Sequence, residues 1–298
     1  MKDNPLKRIL LFCLCIFIVF NCSENSGIEL GDESGHLVII GGGSRPDRIM
    51  KTITDLGKLH DNGKIVVIPN ASASPERTGE NHAAELAQFT DKEVTYFVVT
   101  PDNVNQDSTL KHFEGVGGIF FSGGVQSRLT GLLNGTKLLE RIREIYSDGG
   151  VLSGSSAGAA IMSDLMLTGS EIRYEGDDRL KTIEAANIAY VKGFGFMKGV
   201  IIDQHFVKRQ RENRLISLVL DHSEYIGIGI DEQTAIIRKP GNTFEVIGNS
   251  NVLVFDATQA SIAPVDTTRT YIHSADGLKF HILKEGQVFD LKKLRVVK

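Results

Sequence analysis

The strongest constraint on this chain is a spaced series of short apolar runs that stop at glycines or other small turn residues. HLVIIGGG at 36–43, KIVVIP at 64–69, GIFFSGG at 118–124 and VLSGS at 151–155 each read as a strand, and 94–99 reads as another. Helical spacing lies between them. Ile49, Ile53, Leu56 and Leu59 share one side of 46–60, 80–90 suits a helix, and 137–148 reads as a helix that stops at Gly149-Gly150. Apolar runs without alternation are strands covered on both faces, and strands that alternate with helices build a parallel sheet. The predicted fold class is therefore α/β, with three layers: a mostly parallel sheet and helices on both faces.

The second half is less regular. Residues 171–182 are polar and read as a loop. Further strands are expected at 200–203, 225–230 and 234–238, with a pair over 244–255 that turns at Gly248-Asn249. A helix is expected over 209–221, and strand-like patches at 270–273 and 279–283. A formal net charge of -4 argues against nucleic acid as a partner, because phosphate binding needs a basic face.

The first residues follow a different logic. Lys2, Lys7 and Arg8 precede an apolar run from Ile9 to Phe20, too short to span a bilayer comfortably. This is the pattern of an export signal. The 3 cysteines, Cys13, Cys15 and Cys22, all lie in this stretch, so the remainder has neither a disulfide nor a thiol nucleophile. VFNCS around Cys22 resembles a bacterial lipoprotein signal, with Asn21 where a smaller residue is usual. The expected organisation is an export segment at 1–22 lipidated on Cys22, a polar tether at 23–35, and one domain at 36–298. The expected location is outside the cytoplasm, anchored to a membrane through the lipid.

In open α/β sheets, ligands sit beyond the carboxyl ends of the strands. Gly154-Ser155-Ser156-Ala157-Gly158 lies at such an end and meets the G-x-S-x-G pattern, with a strand before and a helix after. A serine there projects at the sheet edge, beside backbone N–H groups that face a developing oxyanion. The same small residues also suit a tight turn in which Ser155 or Ser156 caps the helix. Spacing favours Ser156 as a nucleophile. A serine needs a base and an orienting acid. His205 follows one strand, and Asp231 and Glu232 follow another. Taken singly, His205 reads as a core histidine and Glu232 as a solvated carboxylate; the order serine, histidine, acid at strand ends points to a triad. Arg209, Arg211 and Arg214 come just after His205, with Arg211 and Arg214 on one helix face. Arginine clusters bind carboxylates in two-point fashion, so an acidic substrate group is one reading and a salt-bridged surface helix the other. GGGSRP lacks dinucleotide-binding spacing, no Cys/His spacing offers a metal site, and no cofactor is expected.

FFSGGVQSRL, GSSAGAA, DQHFVKRQRENRL and GIGIDEQTA, in this order, resemble the cyanophycinases, serine peptidases grouped with aspartyl dipeptidase. The resemblance spans about residues 36–255. It implies a class I glutamine amidotransferase-like fold, usually a homodimer, and a serine exopeptidase. The substrate it implies is cyanophycin, a poly-aspartate carrying arginine on each side chain, cut to β-aspartyl-arginine. Carried onto this sequence, the resemblance makes Ser156 the nucleophile, His205 the base and Glu232 its orienting acid. Gly124 and Ala157 would donate to the oxyanion. Gln126, Asp203, Gln204, Arg209, Arg211 and Arg214 would line the substrate pocket, with Asn70 and Ser72 nearby. Glu175, Asp177 and Asp178 are candidates for the substrate guanidinium. Ser155 stands where the family commonly has threonine, and Val125 where a polar residue is common. Two alternatives share the fold: a dipeptidase for small aspartyl or isoaspartyl peptides, and a catalytically silent binding lipoprotein.

Overall fold

The computed structural model of the protein describes residues 34–57, 63–174 and 182–298. The export segment with Cys22, most of the tether, and Glu175, Asp177 and Asp178 lie outside the described residues.

The first half builds the parallel part of a nine-stranded sheet. Its strands are β1 (His36–Ile40), β2 (Lys64–Ile68), β3 (Val94–Tyr96), β4 (Val116–Phe121) and β5 (Val151–Ser155). They lie side by side in the order β1-β5-β4-β2-β3, all parallel. Ile40 stands level with Ser155, and Phe121 with Gly154, so several strands end at one edge. The helices between them are α1 (Asp47–Gly57), α2 (Pro75–Ala87), α3 (Asp107–His112), α4 (Gln126–Leu133), α5 (Lys137–Ser147) and α6 (Ala157–Ala160). Pro75 opens α2, where its fixed φ suits a first turn and its missing N–H costs nothing. Thr136 caps α5 by accepting from the Leu139 N–H.

Strand pleating divides the core. Val38, Ile40, Ile65 and Val67 face α1 and α2, packing on Ile49, Ile53 and Leu86. Leu37, Ile39, Val66 and Ile68 face the other way, into a larger core with Leu133, Leu138 and Ile142 of α4 and α5. The helices thus cover both faces, as the α/β reading requires.

The second half contributes to four sheets: the main sheet, a four-stranded sheet and two separate two-stranded pairs. A hairpin comes first, β6 (Leu165–Glu171) with β7 (Ile188–Lys192). Then β8 (Val200–Gln204), α7 (Glu212–Asp221) and β9 (Ile226–Ile230) form a parallel crossover. Next, β10 (Thr234–Arg238) pairs antiparallel with β1, and β11 (Thr243–Gly248) with β10. Strand β12 (Val252–Asp256) instead joins β9 in a separate four-stranded sheet. The expected 244–255 pair therefore forms no hairpin: the turn after Gly248 carries the chain from one sheet to the other. The inner face of the second sheet, with Ile202, Ile228 and Val254, merges with the larger core. Its outer face is covered by Leu215, Leu218 and Val219 of α7. The tail adds a small pair, β13 (Ser261–Ile262) with β14 (Ala275–Asp276), and β15 (Lys279–Leu283) on the second sheet. It then returns to extend the main sheet with β16 (Val288–Asp290) and β17 (Arg295–Val296).

The polar run expected as a loop at 171–182 has only Glu171 in a strand, as the last residue of β6; 172–174 belong to no strand or helix, and 175–181 lie outside the described residues. Two other sequence expectations are corrected. The 270–273 patch is not a strand; it holds only an isolated bridge between Ile272 and Glu184. The helix expected over 209–221 starts only at Glu212, because Gln210 takes a left-handed φ of 52° that no helix accommodates. Arg209 lies in the preceding turn and Arg211 at the helix boundary.

Candidate active site

Ser156 sits on the elbow between β5 and α6, with φ 55° and ψ -109°. A non-glycine residue held there costs of order 1–3 kcal/mol, so its surroundings must enforce it. They do so by close packing. A Cβ on Gly154 would lie 2.2 Å from the Gly158 carbonyl oxygen, and one on Gly158 would lie 2.3 Å from that of Phe121. Only glycine at both positions lets the turn fold this tightly. The Ser156 N–H donates to the Ile40 carbonyl at 3.0 Å. That bond fixes the serine against β1, and the next residue, Ala157, starts α6.

His205 follows β8. Its N–H donates to the Gly41 carbonyl at 2.7 Å, and its own φ is 50°. Gly42 makes room for the ring: a Cβ there would fall 2.3 Å from the imidazole carbon Cε1. Nε2 of His205 lies 2.9 Å from Ser156 Oγ, and Nδ1 lies 2.6 Å from Glu232 Oε1. Glu232 comes from the turn between β9 and β10. The next residue, Gln233, has φ 58°, and its N–H donates to the Gly42 carbonyl at 2.9 Å. Serine, imidazole and carboxylate thus form one hydrogen-bonded line. With Nδ1–H given to Glu232, the tautomer leaves Nε2 free to accept the serine proton.

Burial holds the His205 pKa below the ordinary histidine value. Glu232 works against this through its hydrogen bond, and the charges of Arg209 and Arg211 add to the lowering. The imidazole is therefore neutral at neutral pH, the state a base needs.

A cleft of about 640 Å³ opens beside Ser156. It is lined by Gly124, with φ 140°, and by Gln204, Arg209, Arg211 and Arg214. Arg211 Nη1 donates to the Gln204 carbonyl at 2.7 Å and to its side-chain oxygen at 2.8 Å. That side-chain oxygen is also 3.5 Å from Ser156 Oγ.

Not every expected pocket residue faces the cleft. Asp203 is 1% exposed and does not line it. Its carboxylate takes Nε of Arg214 at 2.6 Å and Nη2 of the same guanidinium, a two-point buried pair that aims Arg214. Removing one partner of such a pair typically costs about 3–5 kcal/mol. Gln126 lines the cleft, but its amide nitrogen donates to the Leu167 and Thr168 carbonyls, both at 2.9 Å, and so holds the hairpin in place. Asn70 exchanges side-chain bonds with the Val99 backbone, and Ser72 bonds Thr78 and the Ser74 N–H. Both organise their own loop and line no part of the cleft. Sequence reasoning missed Thr168 and Gly169, which bring the hairpin to the cleft wall, and Lys208. The adjacency of Lys208 to Arg209 was the available signal; for the hairpin pair there was none.

The family model for peptidase family S51 matches residues 37–247. The chain belongs to peptidase family S51. It is a serine-type peptidase. A cyanophycinase from Synechococcus elongatus is 32% identical over 237 residues, covering 78% of this chain and 71% of the relative. Another, from Geminocystis herdmanii, is 33% identical over 235 residues, covering 76% of this chain and 82% of the relative. Among solved structures, a peptidase from an acI-B1 Actinobacterium shares the fold, with TM-score 0.62 over 87% of this chain and 98% of that one, at 23% identity.

The site of this S51 peptidase has a definite pH signature. A lowered His205 pKa means that the base is lost only as pH falls through a value below 6.5. The rate of labelling by a fluorophosphonate should therefore be flat at neutral pH and fall with a midpoint under that value. Arg209→Gln removes a neighbouring positive charge and should move the midpoint upward. A wild-type midpoint above the ordinary histidine value would contradict this account of the base.

Proposed function

We propose that this protein is an exopeptidase that hydrolyses cyanophycin to β-aspartyl-arginine through an acyl-enzyme on Ser156. The observation that carries the reading is the cationic wall of Arg209, Arg211 and Arg214 in the same cleft as the Ser156–His205–Glu232 line. Each aspartate side-chain carboxyl of that polymer is taken up in the amide to arginine, so the carboxylates that these guanidinium forks suit are the α-carboxylates of the attached arginines and the chain's C-terminus. The similarity to cyanophycinases over about three quarters of the chain supports the same substrate class.

In the proposed mechanism, Ser156 Oγ attacks the scissile carbonyl as its proton passes to His205 Nε2. Glu232 stabilises the imidazolium through Nδ1. The N–H groups of Gly124 and Ala157 hold the tetrahedral oxyanion, since that of Ser156 itself is engaged by Ile40. His205 returns the proton to the leaving amine, and the acyl-enzyme forms. Water then attacks the acyl carbonyl as His205 takes its proton; the bond to Ser156 Oγ breaks, His205 returns the proton to Oγ, and the second product leaves as a carboxylic acid.

A second reading has its own support. Among the described residues the charged side chains that line the cleft are all cationic: Lys208, Arg209, Arg211 and Arg214. That favours small aspartyl or isoaspartyl peptides, whose groups in the cleft would be anionic. The reading also takes residues 36–298 as one domain, the active species as a homodimer, and the protein as an exported lipoprotein held by a lipid on Cys22.

Two experiments test this. Residues 23–298, incubated with purified cyanophycin, should release β-aspartyl-arginine detectable by mass spectrometry, and Ser156→Ala should release none. Glu232→Gln should retain more activity than Ser156→Ala, because it orients the base without bonding to substrate. No dipeptide from folded wild type would shift the substrate to small aspartyl peptides. For the anchor, cells expressing the full chain with labelled fatty acid should incorporate label into the protein, and Cys22→Ala should abolish it. Equal labelling of both would remove Cys22 from that role.

A further inference from the structure

The turn that carries the cations is built to hold its shape. The Arg209 N–H donates to the His205 carbonyl at 2.9 Å, that of Gln210 to Val207 at 3.1 Å, and that of Arg211 to Phe206 at 3.0 Å. Left-handed residues, His205 and Gln210, bracket it. One further bond fixes it from outside. The Lys208 N–H donates to Asp231 Oδ1 at 2.9 Å, and Asp231 Oδ2 accepts from the Ser250 hydroxyl at 2.7 Å. Asp231 is buried and directly precedes Glu232. The backbone of Lys208 is thus clamped to the segment that carries the orienting acid.

Its side chain does the opposite. Lys208 is exposed and lines the same cleft as Ser156. Among the described residues, no carboxylate pairs with Lys208 or with Arg209, whereas Arg214 is matched by Asp203. Among the described residues no aspartate or glutamate lines the cleft there either. Cations that share a cleft repel one another, and an anion entering from solvent relieves that repulsion. The floor and the rim also differ in kind. Arg214 is buried and aimed, and Arg211 is drawn onto Gln204. Lys208 is a compact charge on a flexible stem, suited to a carboxylate whose angle is not fixed.

We infer that Lys208 is a specificity-determining residue: with Arg209 it forms a second carboxylate subsite at the rim, beyond the one made by Arg211 and Arg214. The inference deepens the proposed peptidase reading and rests on it. It assigns the substrate class as acidic peptides that present more than one carboxylate to the cleft, one at the floor and one at the rim.

The test separates binding from turnover. In full-length protein carrying Ser156→Ala, tetra-aspartate serves as the probe and calorimetry reads its affinity. Adding Lys208→Met should weaken binding about fivefold, the size of one partly exposed ion pair. Lys208→Arg should largely restore it. The loss of affinity with added salt should be shallower for the Met variant, which has one fewer charge to screen. Equal affinity with and without Lys208→Met would overturn the inference, as would absence of tetra-aspartate binding to the folded Ser156→Ala protein. Failure of cyanophycin hydrolysis, with the Lys208→Met loss intact, would sink the polymer as substrate and leave the rim subsite standing.

Discussion

The carbonyls of Ile40, Gly41 and Gly42 each accept one backbone hydrogen bond, from Ser156, His205 and Gln233 in turn. Those three donors belong to the three segments that carry the nucleophile, the base and, one residue before Gln233, the acid. Each donor residue has a positive φ. Three non-glycine residues in that region carry a cost, and the bonds to one short turn after β1 hold them there. The register of β1 against β5 and β10 sets the height of the turn. The four-stranded sheet brings the ends of β8 and β9 to the same place, since these strands pair in parallel. A shift of β1 by one residue would displace all three segments together. The geometry of the hydrogen-bonded line is therefore a property of the sheet edge rather than of any one loop.

Charge is arranged around that edge with a consequence for the base. Burial keeps His205 neutral, and the nearby arginines act in the same direction. The cations that suit an acidic substrate thus also keep the imidazole ready to accept a proton. Beneath them, Asp203 compensates Arg214 in the protein interior. A buried arginine without that partner would be costly, so the aspartate that resembles a substrate contact in the sequence is a support for Arg214.

The parts of this site that were legible in the sequence are those set by local sterics. Gly154 and Gly158 announce the elbow because no side chain fits there. The apolar runs announce the parallel strands because both faces are covered. The serine, histidine and acid fall at strand ends, and an α/β sheet gathers such ends. What could not be read depends on contacts distant in sequence. The run around β11 and β12 specifies two strands but not that they join different sheets. The hairpin of β6 and β7 is held to the cleft by Gln126, a contact 41 residues away to Leu167 that has no local signature. Arg209 has helical spacing with its neighbours, yet the clamp of the Lys208 N–H on Asp231 belongs to a turn and not to a helix.

The central claim is that this sheet edge makes Ser156, and no other residue, a nucleophile activated by His205. The direct measurement is peptide mapping of the protein after reaction with a fluorophosphonate. The account predicts one adduct, located on Ser156, that is lost in His205→Ala while the fold is retained. An adduct on Ser155, or one on Ser156 that forms equally fast without His205, would contradict it.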